Sequence, residues 1–192
     1  MTSRSGGMAL LLTLLPWAWA PATHTEASGV FAGGCFWGVE SVFDHLQGVR
    51  SAVSGYADGG IEAVRVSYDP AQISYQELLQ VFFTVAHDPT QRDRQGPDAG
   101  PEYRAVVYYL SPEQRQLVEG YLAGLNRAHR FARPIVTEVR PLGRFQVAEP
   151  FHQNYAARHP NEPYIIVNDA PKLDRLRRAF PRLYRKRRSV SE

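Results

Sequence analysis

Gly29-Val30-Phe31-Ala32-Gly33-Gly34-Cys35-Phe36-Trp37-Gly38-Val39-Glu40 is the stretch from which the rest of the chain can be read. Gly29 to Ala32 is a short apolar run, the pattern of a buried strand, and Trp37 to Leu46 has the apolar spacing of a helix. The Gly33-Gly34 hinge turns the chain sharply between them, because neither residue carries a Cβ that could clash. Cys35 then stands in the first turn of the helix, where unpaired N–H groups and the positive dipole end favour an anion. A thiol so placed titrates at about 3.5–7.5 instead of about 8.5, so a thiolate is expected at neutral pH.

Cys35 is the only cysteine in 192 residues. A solitary cysteine is commonly a small buried hydrophobe. Here the flanking glycines and the helix-start position favour a nucleophile. Phe36 and Trp37 follow it directly and offer an apolar wall suited to a substrate with a methyl or thioether group.

Outward from this centre, Gly48 to Tyr56 and Glu62 to Tyr68 alternate like strands around the turn signal Asp58-Gly59-Gly60, which predicts a hairpin. Ser74-Tyr75-Gln76-Glu77 is a capping box, and the apolar positions from Leu78 to Val85 continue as a buried helix. Residues 87–102 form a long polar loop, a length that inside a domain points to function or disorder. Tyr103 to Leu110 reads as a strand, Ser111 caps a helix to about Arg130, and Ile135 to Val139 reads as a further strand. Phe145 to His159 is irregular with a short helix, Pro171 to Phe180 is a basic helix, and Arg182 to Glu192 reads as frayed. This order predicts an α+β two-layer sandwich with helices packed on a mixed β-sheet.

The formal charge of +3 conceals an asymmetry. Residues 172–192 hold nine Lys/Arg against two Asp/Glu, a net of +7, so the remainder carries −4. The run Arg182 to Arg188 could touch anionic lipid or nucleic acid, but a solvated charge run is the plainer reading. Arg4, the apolar run Met8 to Leu15 and Ala20-Pro21-Ala22 read as a secretory signal over residues 1–22. Residues 23–170 are then the functional domain and 171–192 a basic helix and tail, in an exported protein, periplasmic or secreted. Export argues against nucleic acid as a partner. It normally accompanies paired cysteines, so one unpaired thiol points to chemistry. No Gly-rich loop joins a strand to a helix in the manner of a phosphate site, and no Cys/His spacing suits a metal. His87 or His152 could serve as base in a Cys–His hydrolase, but structural roles are favoured for both.

Gly34-Cys35-Phe36-Trp37-Gly38-Val39-Glu40 resembles the nucleophile motif of the A-type peptide methionine sulfoxide reductases, which act on the S epimer. Glu62-Ala63-Val64-Arg65-Val66 is similar to the family's second motif. His87-Asp88-Pro89-Thr90-Gln91, Arg94 to Asp98 and Tyr103-Arg104 are similar to its third, and Ala148-Glu149, His152-Gln153 and Tyr155 to its fourth. The resemblance runs from about Val30 to Phe180 in the family's order and implies a ferredoxin-like sandwich. It also implies Cys35 as nucleophile, Glu62 as acid, Tyr103 as a donor to the sulfoxide oxygen, Asp98 positioning the nucleophile and a water, and Phe36 and Trp37 holding the methyl group. Oxidised proteins and peptides would be the substrates, and Cys35 sulfenic acid the product beside methionine.

Two departures from the family pattern carry consequences. Tyr56 to Glu62 closes directly where relatives have a longer insert with a second tyrosine and a Gly-His pair, which puts the position of Glu62 at issue. Losing one preorganised donor costs about 10²–10³ in rate. No second cysteine can resolve the sulfenic acid, so an external thiol, a small one or a thioredoxin-like protein, is the expected reductant, with no bound cofactor and no metal. The chain is expected to act as a monomer, any membrane contact through its basic tail being subordinate. The competing reading is a methionine-binding module, weakened or inactive as a catalyst by the short turn.

Overall fold

The computed structural model describes residues 26–186. Residues 1–22, read above as a secretory signal, and the last six residues lie outside them. The elements are β1 (Ala27–Ala32), α1 (Phe36–Asp44), β2 (Val49–Ala57), β3 (Ile61–Tyr68), α2 (Tyr75–Val81), β4 (Arg94–Gln95), β5 (Asp98–Ala99), β6 (Val106–Tyr109), α3 (Pro112–Arg127), β7 (Glu138–Pro141), β8 (Phe145–Val147), α4 (Tyr155–Arg158) and α5 (Ala170–Ala179). Six strands form one sheet in the order β7-β6-β1-β3-β2-β8, and β4 and β5 pair separately. Only β6 and β7 run parallel, so the sheet is mixed and the fold is the expected α+β sandwich.

Alternation along the central strands decides what each face does. Phe31, Val64, Val66 and Val107 point to one side, where they join Val39, Phe43, Leu78, Leu79, Val118 and Leu176 of the helices in the main core. Val30, Ala32, Ala63, Val106 and Tyr108 point to the other side, covered by Leu142 and Phe145. Glu62 shares the helix-facing side with Val64 and Val66 by the same period of two. That side faces the start of α1.

The capping box forms: the Ser74 hydroxyl accepts the Glu77 N–H and the Glu77 carboxylate accepts the Ser74 N–H. A π turn, Phe82–Ala86, then ends this helix and stacks His87 on Phe82 with ring centroids 3.9 Å apart.

Several expected elements need correction. The strand predicted at Ile135 to Val139 lies at Glu138–Pro141, because Val136 is bonded to the Pro89 carbonyl and Thr137 to His87 before pairing with β6 begins. The polar loop contains the β4–β5 hairpin. The irregular stretch after Phe145 begins with an edge strand on β2, anchored by the Arg65 guanidinium 4.3 Å above the Phe145 ring. Residues 182–186 are not frayed: Gln47 donates to the Leu183 carbonyl at 2.7 Å and Arg185 to the His45 carbonyl at 2.8 Å. Arg182 to Lys186 therefore lie against the end of α1. Leu176 of α5 is fully buried, so the basic helix is part of the core.

Candidate active site

Gly34 makes the hinge between β1 and α1. Its φ is +86°, and a Cβ there would lie 2.4 Å from Cβ of Gln95, so both backbone and space require glycine. The turn delivers Cys35 to the N-cap of α1, 9% exposed. No side chain of its own caps the helix. Glu62 does so from β3, its Oε2 accepting the Phe36 N–H at 2.9 Å. The short turn before Glu62 has not displaced it. Asp58 pins that turn by accepting the N–H groups of Gly143 at 3.1 Å and Arg144 at 2.7 Å, and Glu62 stays in register opposite Tyr56.

Burial dominates the electrostatics. Glu62 rises from 4.5 to about 7, through burial offset in part by the Phe36 N–H and reinforced by Asp98 and Glu102. The Cys35 thiol is pushed up to about 12 by burial first and the Glu62 charge second, against hydrogen bonds from the Trp37 N–H and Tyr164. The thiolate expected from the helix start is therefore corrected. Cys35 rests as a thiol, because burial outweighs the helix end and the first helical N–H is already taken by Glu62.

The other expected residues gather around this pair. Tyr103 ends a 3₁₀ turn, Pro101–Tyr103, and is raised to about 12 by burial and then by Glu62, Asp98 and Cys35. Asp98 accepts the hydroxyl of Tyr164, which is also hydrogen-bonded to the Cys35 sulfur. Sulfur, phenol and carboxylate thus form one chain. Trp37 stacks on Tyr155 at 3.8 Å and 10°, donates its indole N–H to Nδ1 of His152 at 3.2 Å, and meets Tyr164 edge-on at 5.9 Å. Phe36 is 1% exposed and packs under Tyr56 and His152, so of the two aromatics Trp37 is the accessible wall.

Tyr164 was not singled out by the sequence as a site residue. Its signal is weak, a single tyrosine ahead of the apolar pair Ile165-Ile166. His87 is structural, with Nδ1 on the Phe82 carbonyl and Nε2 on Thr137, both at 2.9 Å, and burial lowers it to about 4. His152 serves Trp37. Among the described residues no group of three or more His, Cys, Asp or Glu could hold a metal ion.

The family model for peptide methionine sulfoxide reductase matches residues 27–62 and 59–183. The chain is 41% identical over 181 residues to peptide methionine sulfoxide reductase MsrA 2 of Mesorhizobium japonicum, covering 86% of this chain and 91% of that one. Mxr1 of Saccharomyces cerevisiae in reduced form superposes with a TM-score of 0.67 at 28% identity, covering 74% of this chain and 89% of that one. Mxr1 in complex with Trx2 gives 0.54 at 26% identity, covering 71% and 88%. With its nucleophile motif on a glycine hinge and these matches across most of its length, the chain belongs to the A-type peptide methionine sulfoxide reductases.

Proposed function

We propose that the chain reduces the S epimer of methionine sulfoxide in proteins and peptides, with Cys35 as nucleophile and Glu62 as general acid. The observation that carries this reading is the Glu62 carboxyl, seated on the N–H adjacent to Cys35 at 2.9 Å and raised to about 7 by burial. The sulfoxide sulfur is electrophilic and its oxygen basic. Trp37 takes the methyl group, Tyr103 donates to the oxygen, and Glu62 passes its proton there as the Cys35 sulfur bonds to the substrate sulfur. The thiol's proton leaves through Tyr164 to Asp98. The hydroxyl then passes from the substrate sulfur to the Cys35 sulfur as the S–O and new S–S bonds break and the S–S pair returns to the substrate sulfur, so sulfoxide and thiol become methionine and sulfenic acid. General-acid assistance of this kind is worth about 10²–10⁴ in rate.

An external thiol returns the sulfenic acid to the thiol. Mxr1 in complex with Trx2 supports a thiol donor of the thioredoxin type, and the solitary cysteine supports the need for one. The apolar leader and small residues at its end support export to an oxidising compartment. The test is a peptide carrying each sulfoxide epimer, incubated with dithiothreitol and wild type, Cys35→Ser or Glu62→Gln. Consumption of the S epimer alone, abolished by Cys35→Ser, is the expected result. Consumption of neither epimer by wild type would leave only the binding-module reading.

A further inference from the structure

The mechanism leaves one buried carboxylate unused. Asp169 ends the π turn Ile165–Asp169 that follows Tyr164, and it stands where α5 begins. It is 2% exposed. Its Oδ1 accepts from the Lys172 ammonium at 3.1 Å, and its Oδ2 is buried with no hydrogen-bond partner among the described residues. Its side chain caps no N–H group of α5. Burial pushes the carboxyl up, and Lys172 works against that rise.

Its neighbour on α1 is Gly38. A Cβ on Gly38 would lie 2.8 Å from Cγ of Asp169 and would run into Oδ1 and the Lys172 ammonium. Gly38 has no left-handed backbone to call for glycine, and glycine weakens a helix interior, so space is what requires it there. The ion pair is therefore seated on the backbone of α1, in the turn that Cys35 opens. Desolvation of two buried charges offsets most of their attraction, so such a pair adds little stability over an apolar contact of the same shape. It does add direction: a carboxylate and an ammonium side by side fit one seat along α1.

The seat bears on Tyr164. Asn168 donates its side-chain amide to the Tyr164 carbonyl at 3.0 Å, which closes the π turn on itself. At one end of this turn the Tyr164 hydroxyl reaches the Cys35 sulfur and Asp98. At the other end Asp169 rests on Gly38. Both ends thus meet the same turn of α1. We propose that Asp169 and Lys172 are positioning residues, whose ion pair, seated on Gly38, fixes the reach of the Tyr164 hydroxyl to the Cys35 sulfur. This rests on the proposed function, in which Tyr164 carries the thiol's proton to Asp98. The effect of the pair on rate passes through Tyr164, and substrate affinity does not depend on it.

The test is a double-mutant cycle on the single-turnover rate of methionine formation, measured over a range of sulfoxide peptide concentrations. Tyr164→Phe removes the hydroxyl and should slow the step about a hundredfold. Asp169→Asn with Lys172→Met removes both charges at nearly constant shape, whereas Gly38→Ala keeps the charges and pushes the pair off its seat. Each should slow the step about ten- to a hundredfold at unchanged half-saturating peptide. In a Tyr164→Phe background the same changes should cost less than about twofold, because the group they position is gone; a merely structural role would multiply the losses. Proton NMR reads the seat apart from catalysis: the cross-peak between the Tyr164 and Trp37 rings, 5.9 Å apart, should weaken in both variants. Multiplied losses, or a cross-peak of wild-type strength in both variants, would overturn the proposal. A Tyr164→Phe protein as fast as wild type would instead sink the proton path of the proposed function and leave the cross-peak to decide the positioning.

Discussion

Glu62→Gln should give a protein that is slower yet, above neutral pH, more stable. The amide oxygen of glutamine can still accept the Phe36 N–H that Glu62 accepts at 2.9 Å, so the start of α1 is retained. What is lost is a proton held near neutrality, which costs about 10²–10⁴ in the rate of methionine formation. Stability moves the other way. The folded-state value of about 7 lies above the ordinary carboxyl value of 4.5. The contribution is therefore full below the unfolded value and lost as pH rises through about 7. At 1.36 kcal/mol per unit this difference amounts to about 3 kcal/mol, reduced to about 2 kcal/mol by partial exposure of the carboxylate. Single-turnover methionine yield and urea unfolding at pH 5 and pH 8 read both effects. A variant as fast as wild type would refute the general acid. A stability difference between variant and wild type that does not grow from pH 5 to pH 8 would refute the buried carboxyl.

Three further outcomes follow from individual contacts. Gly34→Ala must hold φ at +86° and push its Cβ against Gln95, so it should lose about 1–3 kcal/mol in urea unfolding. A wild-type midpoint would mean that the hinge relaxes freely. Tyr155→Ala removes the ring stacked 3.8 Å from Trp37 and should raise KM for a sulfoxide peptide more than it lowers kcat. An unchanged KM would remove Trp37 from the pocket wall. Ser74→Ala breaks the capping box and should cost about 1 kcal/mol with activity retained, measured by thermal unfolding and turnover.

The elements that local rules govern were legible in the sequence. The glycine hinge, the capping box of α2 and the β2–β3 hairpin rest on neighbouring residues, and all three appear where the pattern put them. Strand β8 was not legible, because its three residues alternate over too short a span and are held by Arg65, eighty residues earlier in the chain. The displacement of β7 has the same origin, since the commitment of Thr137 to His87 is a tertiary fact. The site divides along the same line. Cys35 and Glu62 could be found from motif and type, and their contact through Phe36 follows from the period of the strand. Tyr164 could not, since its approach to Cys35 depends on the packing of the π turn that follows it, Ile165–Asp169, against α1. The ionisation of Cys35 was misread because a helix end is visible in sequence, whereas the burial that outweighs it belongs to the assembled fold.

The account depends on a carboxyl that keeps its proton beside a neutral sulfur. Infrared difference titration of wild type against Glu62→Gln observes that proton through the carbonyl stretch of the protonated acid. The account predicts a band lost with a midpoint at about pH 7 and absent from the variant. A midpoint below pH 5, or no band assignable to Glu62, would contradict it.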